Sequence, residues 1–322
     1  MGILSRIFPV MAFALATQIS GTAAKAGSLY DVPKYAAILV NADTGEVMYS
    51  RKPDETRYPA SITKVMTLYV AFEEMKAGRL RETDRIRISA TAAAQPPSKL
   101  GLKPGSTISV ADAIGVMATK SANDISLALA EHIGGSQAGF AARMNATAKK
   151  IGMTGSNFVN PHGLPDPRHI TTARDIATLS RALLRNHPDR YKVFSKVAHD
   201  YNGQTILSHN KLLETVPGVD GIKTGFTNAA GFTLAASAVS DGTRLIAVVL
   251  GGPNRMLRDG NVTDLLQTGF SVLTRRARGE LTTVAANFAE PDDLPDAVLD
   301  RLATRGPAAD GLVLAGAATL AR

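Results

Sequence analysis

Tyr58-Pro-Ala-Ser-Ile-Thr-Lys-Val-Met-Thr67 is the stretch whose reading decides this chain. Pro59 suits the entry to a helix and disfavours helix at the residue before it. The apolar residues that follow, Val65, Met66, Leu68, Tyr69, Val70 and Phe72, predict a helix to about Lys76, stopped by Gly78. Ser61 then lies in its first turn and Lys64 one turn on, on the same face. A serine hydroxyl is a poor nucleophile until something takes its proton, and a neutral amine one turn away can do so. The helix N-terminus adds backbone N–H groups and a partial positive charge where an oxyanion would form. The pair therefore suits acyl transfer on serine with a lysine base. A plain helix cap beside a solvated charge would carry the same two residues.

Two further short patterns follow in order, Ser121-Ala-Asn123 and Lys223-Thr-Gly225. Helices predicted over Val110–Thr119 and from Asp124 to about Ile133 place Ser121 and Asn123 at the tip between them, aimed at whatever the tip faces. Lys223-Thr-Gly225 precedes the run Phe232–Val239, and Asp241-Gly242 then joins that run to Arg244–Leu250, a strong hairpin signal. Singly these patterns are weak. Ser208-His-Asn-Lys211 matches both serine motifs, but it sits in a polar stretch shortly before Pro217-Gly218 and reads as a structural turn.

Outward from these, Ala36–Val40 and Glu46–Ser50 flank the turn residues Asn41–Gly45 as a hairpin. Further helices are predicted over Phe140–Lys150, from a cap at Thr171 or Thr172 to Leu184, and over Thr263–Arg276. Arg258 falls in the loop ahead of that last helix. Strands at both ends with helices between them give an α+β fold. Its antiparallel sheet is built from N- and C-terminal segments, flanked by helices, with a helical subdomain inserted.

The chain has 322 residues, enough for one large domain or two modest ones. The net charge of +8 is spread along the chain, with no Trp and no nucleic-acid motif, so a nucleic-acid partner is not expected. Cysteine is absent, which excludes disulfides, thiol catalysis, thiolate metal sites and a lipidated N-terminal cysteine. The six histidines lack metal-ligand spacing, and neither a metal nor another cofactor is expected. Arg6, a short apolar segment over Ile7–Ala16 and small residues to Ala26 predict a secretory signal peptide over residues 1–26, with export to the periplasm or the outer face of the cytoplasmic membrane. Residues 279–322 read as a linker-like tail, in which Leu312–Ala321 is apolar but too short to span a bilayer, leaving weak peripheral membrane contact as its functional reading.

Pro59–Thr67, Ser121–Ile133, Asn160-Pro-His-Gly-Leu164 and Gly218–Phe232 together resemble the serine DD-peptidases, the D-alanyl-D-alanine carboxypeptidases among the low-molecular-mass penicillin-binding proteins. The likeness covers about residues 28–275 and implies a β-lactamase/transpeptidase-like catalytic domain over 27–278. Many members carry a β-rich C-terminal domain, which the residues after Arg278 are too few and too polar to form. The resemblance implies that Ser61 is acylated by the carbonyl of a D-Ala–D-Ala bond in a peptidoglycan stem peptide, that Lys64 takes its proton, and that Ser121 relays a proton to the leaving amine. It implies that Asn123 holds substrate and Lys64, and that the Lys223–Gly225 strand docks the substrate by edge addition. Thr224 and Arg258 would bind the terminal carboxylate, and the N–H groups of Ser61 and Phe226 would form the oxyanion hole. β-Lactam antibiotics would acylate the same serine. His162, between Pro161 and Gly163, reads as a loop-structuring residue rather than a base. Two neighbouring activities stay open: endopeptidase action on cross-links, and a β-lactamase, which would need a deacylating base not seen between Ser121 and Lys223.

Overall fold

The computed structural model describes residues 35–289. The apolar runs from the two ends of that span pair with each other. Strand β1 (Ala36–Asn41) hydrogen-bonds to β2 (Val47–Arg51) on one side. On its other side it pairs with β9 (Thr243–Gly252), the last strand of a three-stranded meander that begins with β7 (Val219–Thr227) and β8 (Gly231–Ser240). The order is β2-β1-β9-β8-β7 with every pairing antiparallel, so β7 presents a free edge.

Alternate side chains of a strand point to opposite faces, and here both faces are covered. Ile38, Val40, Ile246, Val248 and Leu250 enter one core, while Leu39, Leu245, Ala247 and Val249 enter another. That double burial explains why these strands read as unbroken apolar runs. The second core is closed by α9 (Arg255–Ala277) through Val262, Leu265 and Leu266.

The first core belongs to the inserted helical part. Every residue of α1 (Thr63–Lys76) from Thr63 to Phe72 is buried, which makes it the central post. Around it stand α3 (Val110–Thr119), α4 (Asn123–Gly134), α5 (Gln137–Ile151) and α6 (Ala173–Asn186), after a short α2 (Ala90–Ala93). Helix starts are set by side-chain caps: Ser109, Ser136, Thr172 and Asn254 accept from Asp112 N, Gly139 N, Asp175 N and Leu257 N. Each cap contributes about 1 kcal/mol. Small pieces complete the described chain: β3 (Arg85–Arg87) with β4 (Thr107–Ser109), α7 (Pro188–Tyr191), the hairpin of β5 (Ala198–Tyr201) and β6 (Gln204–Leu207), and α8 (Leu212–Thr215). The β5–β6 turn is Asn202-Gly203, both at positive φ. Asn-Gly is the strongest two-residue hairpin signal.

Two expectations are corrected, and one hairpin is added. Helix α9 begins at Arg255 rather than Thr263, capped by Asn254, so Arg258 lies within the helix and not in a loop. Its first turns cover the cleft end of the sheet, where no apolar stripe is needed, and that hid them from periodicity. The β5–β6 hairpin was absent from the expected strands. Residues 279–289, read as the start of a tail, pack on the domain: Val284 and Phe288 join the second core, and Phe288 meets Tyr49 edge-on at 5.0 Å. The signal segment over 1–26 and the apolar stretch Leu312–Ala321 lie outside the described residues. Among the described residues, no helix is long and apolar enough to cross a membrane.

Candidate active site

Ser61 sits in a single 3-10 turn, Ala60–Ile62, that leads into α1. Lys64, one turn on, has no exposed surface. Its Nζ lies 3.0 Å from Ser61 Oγ, 2.8 Å from Asn123 Oδ1 and 2.8 Å from the carbonyl oxygen of His162. Two of these neighbours, an amide oxygen and a backbone carbonyl, can only accept. A neutral amine has two N–H bonds and one lone pair. In its neutral form the amine would give its N–H bonds to these two acceptors and keep its lone pair for the serine hydroxyl. Burial, then the charge of Lys223, push the Lys64 pKa well below that of a free lysine, against a smaller opposing effect of Asp124.

Each neighbour is held from elsewhere. Asn123 opens α4, and its Nδ2 donates to the carbonyls of Pro96 and Pro97 at 3.0 and 3.2 Å, which orients Oδ1 toward Lys64. Asp124, fully buried, accepts from Leu100 N and Gly101 N and ties the 96–101 loop to the same helix start. Ser121 occupies the tip between α3 and α4 at φ +65°, a left-handed conformation that few non-glycine residues adopt. Its Oγ is buried and has no hydrogen-bond partner among the described residues. An orphaned buried hydroxyl costs stability unless something else uses it.

The carbonyl of His162 is placed by the Asn160–Leu164 loop. Asn160 Oδ1 accepts from Gly163 N at 2.7 Å and its Nδ2 donates to Leu164 O, while Thr67 Oγ1 donates to Pro161 O at 2.6 Å. Gly163 has φ +86°, and a Cβ there would fall 1.8 Å from Ala60 O, so the loop can approach the serine turn only as glycine. Burial, then the Lys64 charge, push the His162 pKa down to about 3. The ring is neutral, and its Nδ1 accepts from Leu164 N, as a loop-structuring residue would.

Strand β7 forms the facing wall. Lys223 is 2% exposed and donates to Thr224 O at 3.2 Å. Burial, then the Arg258 charge, push its pKa down to about 7. A Cβ on Gly225 would stand 2.8 Å from Ser61 N and 2.6 Å from Thr233 Oγ1, so glycine lets the strand edge lie against the serine turn. Arg258 is 4% exposed; its Nη1 donates to Thr233 O at 3.0 Å and its Nε to Asp259 Oδ1 at 2.9 Å.

Of the nine residues singled out in the sequence, Ser61, Ser121, Asn123, Thr224, Gly225, Phe226 and Arg258 line a single cleft. Lys64 and Lys223 are not in its walls but lie buried beneath them. In the second serine match, Ser208 Oγ accepts from Asn210 N while Lys211 is exposed and pairs with Glu214, the structural turn expected. Two residues escaped notice. His209, inside that decoy match, and Arg255, the first residue of α9, both line the cleft. Only the unrecognised hairpin and the early start of α9 could have pointed to them. Among the described residues no group of acidic, histidine or cysteine side chains is gathered that could hold a metal.

Comparison with known proteins adds the following. The family described as D-alanyl-D-alanine carboxypeptidase matches residues 21–254. The D-alanyl-D-alanine carboxypeptidase DacF of Bacillus subtilis is 36% identical over 242 residues, covering 73% of this chain and 62% of that protein. The chain spans about three fifths of the length of such curated relatives. Among solved structures, penicillin-binding protein 5 from Haemophilus influenzae superposes with a TM-score of 0.71 at 36% identity, over 73% of this chain and 70% of that one. Penicillin-binding protein D2 from Listeria monocytogenes, solved in its cefotaxime-bound form, gives 0.68 at 31% identity, over 74% of this chain and 98% of that one.

Proposed function

Because the chain belongs to the D-alanyl-D-alanine carboxypeptidase family, we propose that it is an exported serine carboxypeptidase that removes the terminal D-Ala from peptidoglycan stem peptides and is acylated by penicillins at Ser61. The observation that carries this reading is the Lys64 amine, buried and depressed in pKa, with its Nζ 3.0 Å from Ser61 Oγ and held by Asn123 Oδ1 and the His162 carbonyl.

The stem peptide lies along the free edge of β7 as an added strand, close to the serine turn because residue 225 is glycine. Its terminal carboxylate meets Thr224 and the positive charge of Arg258 and Lys223. Ser61 Oγ attacks the penultimate carbonyl carbon as its proton passes to Lys64 Nζ. The oxyanion that develops takes the N–H groups of Ser61 and Phe226. The C–N bond then breaks as the amine receives a proton through Ser121, whose unpartnered Oγ suits that task. D-Ala departs, and a water molecule, deprotonated by Lys64, releases the acyl group by the reverse sequence. Asn123 keeps Lys64 in register throughout. Export would use residues 1–26, with the catalytic unit beginning near residue 27.

Intact-mass measurement after incubation with a penicillin tests this directly. One adduct mapping to Ser61, together with D-Ala release from a D-Ala–D-Ala peptide, is expected. An unlabelled wild-type protein would sink the reading.

A further inference from the structure

His169 is one of six histidines in the chain, and it lies outside the walls of the cleft. The backbone beside it is fixed: Ile170 pairs with Asn157, and Thr171 pairs with Arg57. The ring is 2% exposed and meets Phe158 edge-on at 5.6 Å. Both of its nitrogens are engaged. Nδ1 lies 3.1 Å from Val159 N, and Nε2 lies 2.8 Å from Thr63 Oγ1. A backbone N–H can only donate, so Nδ1 accepts, and the neutral ring carries its proton on Nε2, which donates to Thr63. Burial pushes the His169 pKa down to about 4; Asp166 opposes that shift and the charge of Lys64 adds to it. At neutral pH the ring therefore keeps one charge state and one tautomer.

The two residues it joins stand beside Lys64 and beside the carbonyl that holds Lys64. Thr63 opens α1, between Ser61 and Lys64. Val159 begins the run Val159–His162, whose last carbonyl accepts from Lys64 Nζ at 2.8 Å. One turn on from Thr63, Thr67 donates to Pro161 O at 2.6 Å. The run is thus held to α1 at two levels, once directly and once through the imidazole. The two parts also touch at the residue that His169 binds, since a Cβ on Gly163 would fall 2.8 Å from Thr63 Oγ1.

We infer that His169 is a positioning residue for acyl transfer: its imidazole clamps the turn bearing Ser61 and Lys64 to the loop whose His162 carbonyl holds the Lys64 amine. This rests on the reading above, in which Lys64 takes the proton of Ser61. The ring acts only through Thr63 and Val159, and what it sets is the place of the amine relative to the hydroxyl. Such placement matters because a shift of about 1 Å costs on the order of 10²-fold in rate. A histidine that only cemented the loop would contribute stability and leave the rate of the folded protein unchanged.

The test uses His169→Phe, which keeps a ring against Phe158 and removes both bonds, and His169→Asn, which keeps an acceptor for Val159 N but gives up the reach to Thr63. The measurement is the first-order rate of penicillin acylation at saturation, normalised to titrated active sites so that unfolded protein cancels. His169→Phe is expected to acylate about tenfold or more slowly, with the dissociation constant of the initial complex unchanged. His169→Asn should fall between that variant and wild type, and it carries the test alone if His169→Phe does not fold. Thr63→Val cuts the other end of the clamp, so adding it to His169→Phe should slow acylation no further. Wild-type rates in both histidine variants, even with a lowered Tm, would overturn the inference. So would a loss confined to initial binding, or additive losses with Thr63→Val. Absence of a penicillin adduct on the wild-type protein would instead overturn the acyl-enzyme reading on which it stands.

Discussion

The amine of Lys64 lies 2.8 Å from the side-chain oxygen of Asn123, across the boundary between α1 and α4. That oxygen is uncharged, and the neutrality matters as much as the contact. Opposite charge at this distance would favour the ammonium form, which could not serve as the proposed base.

Asn123→Asp therefore places an anion where an amide oxygen now stands. The Lys64 pKa should rise, which favours the ammonium form and works against its use as a base. The rate of penicillin acylation at neutral pH should fall about 10²-fold or more and recover in part as pH is raised. Stopped-flow acylation across pH, with melting curves alongside to monitor the lost bonds to Pro96 and Pro97, checks this. An acid limb at the wild-type position would refute it.

Lys223 supplies the opposite limb. Its pKa is pushed down to about 7 by burial and then by Arg258, so it is cationic below that pH and neutral above it. Deprotonation removes a charge that helps to depress Lys64 and that, on the proposed reading, holds the substrate carboxylate. The pH profile of kcat/KM should then be a bell. It falls on the acid side as Lys64 gains a proton and on the alkaline side as Lys223 loses one. Lys223→Arg keeps a charge that does not titrate in this range, so the alkaline limb should vanish while the acid limb stays.

Gly225→Ala tests the close approach of strand and serine turn. The added Cβ would stand 2.8 Å from Ser61 N and 2.6 Å from Thr233 Oγ1, and backbone on the serine side cannot give way cheaply. Overpacking of this kind costs about 1–3 kcal/mol, which a melting curve would register as a lower Tm. Acylation should fall more than stability, since the turn that carries Ser61 is displaced. Unchanged acylation in a destabilised protein would show that the contact is merely structural.

Much of this was legible locally. Ser61 and Lys64 share a helix face because of their spacing, and the unbroken apolar runs at the two ends announced strands buried on both faces. The Asn202-Gly203 turn carries an equally local signal. Arg258 was harder. A charged residue in a polar stretch reads as exposed, and only the packing of α9 over the end of the sheet buries it. Val284 and Phe288 are single apolar residues without a period, and their partners, Tyr49 among them, come from distant parts of the chain.

By itself, then, the sequence determined which elements form and which faces they bury, because spacing and apolar pattern act within a few residues. Tertiary structure alone decided that the Lys64 amine faces Ser61 with its other bonds engaged by Asn123 and His162, and that Lys223 and Arg258 lie buried at the same cleft. The physical reason is that a depressed amine pKa is a property of the surrounding low-dielectric packing and of charges brought from other elements, neither of which exists until the sheet and helices have closed around it.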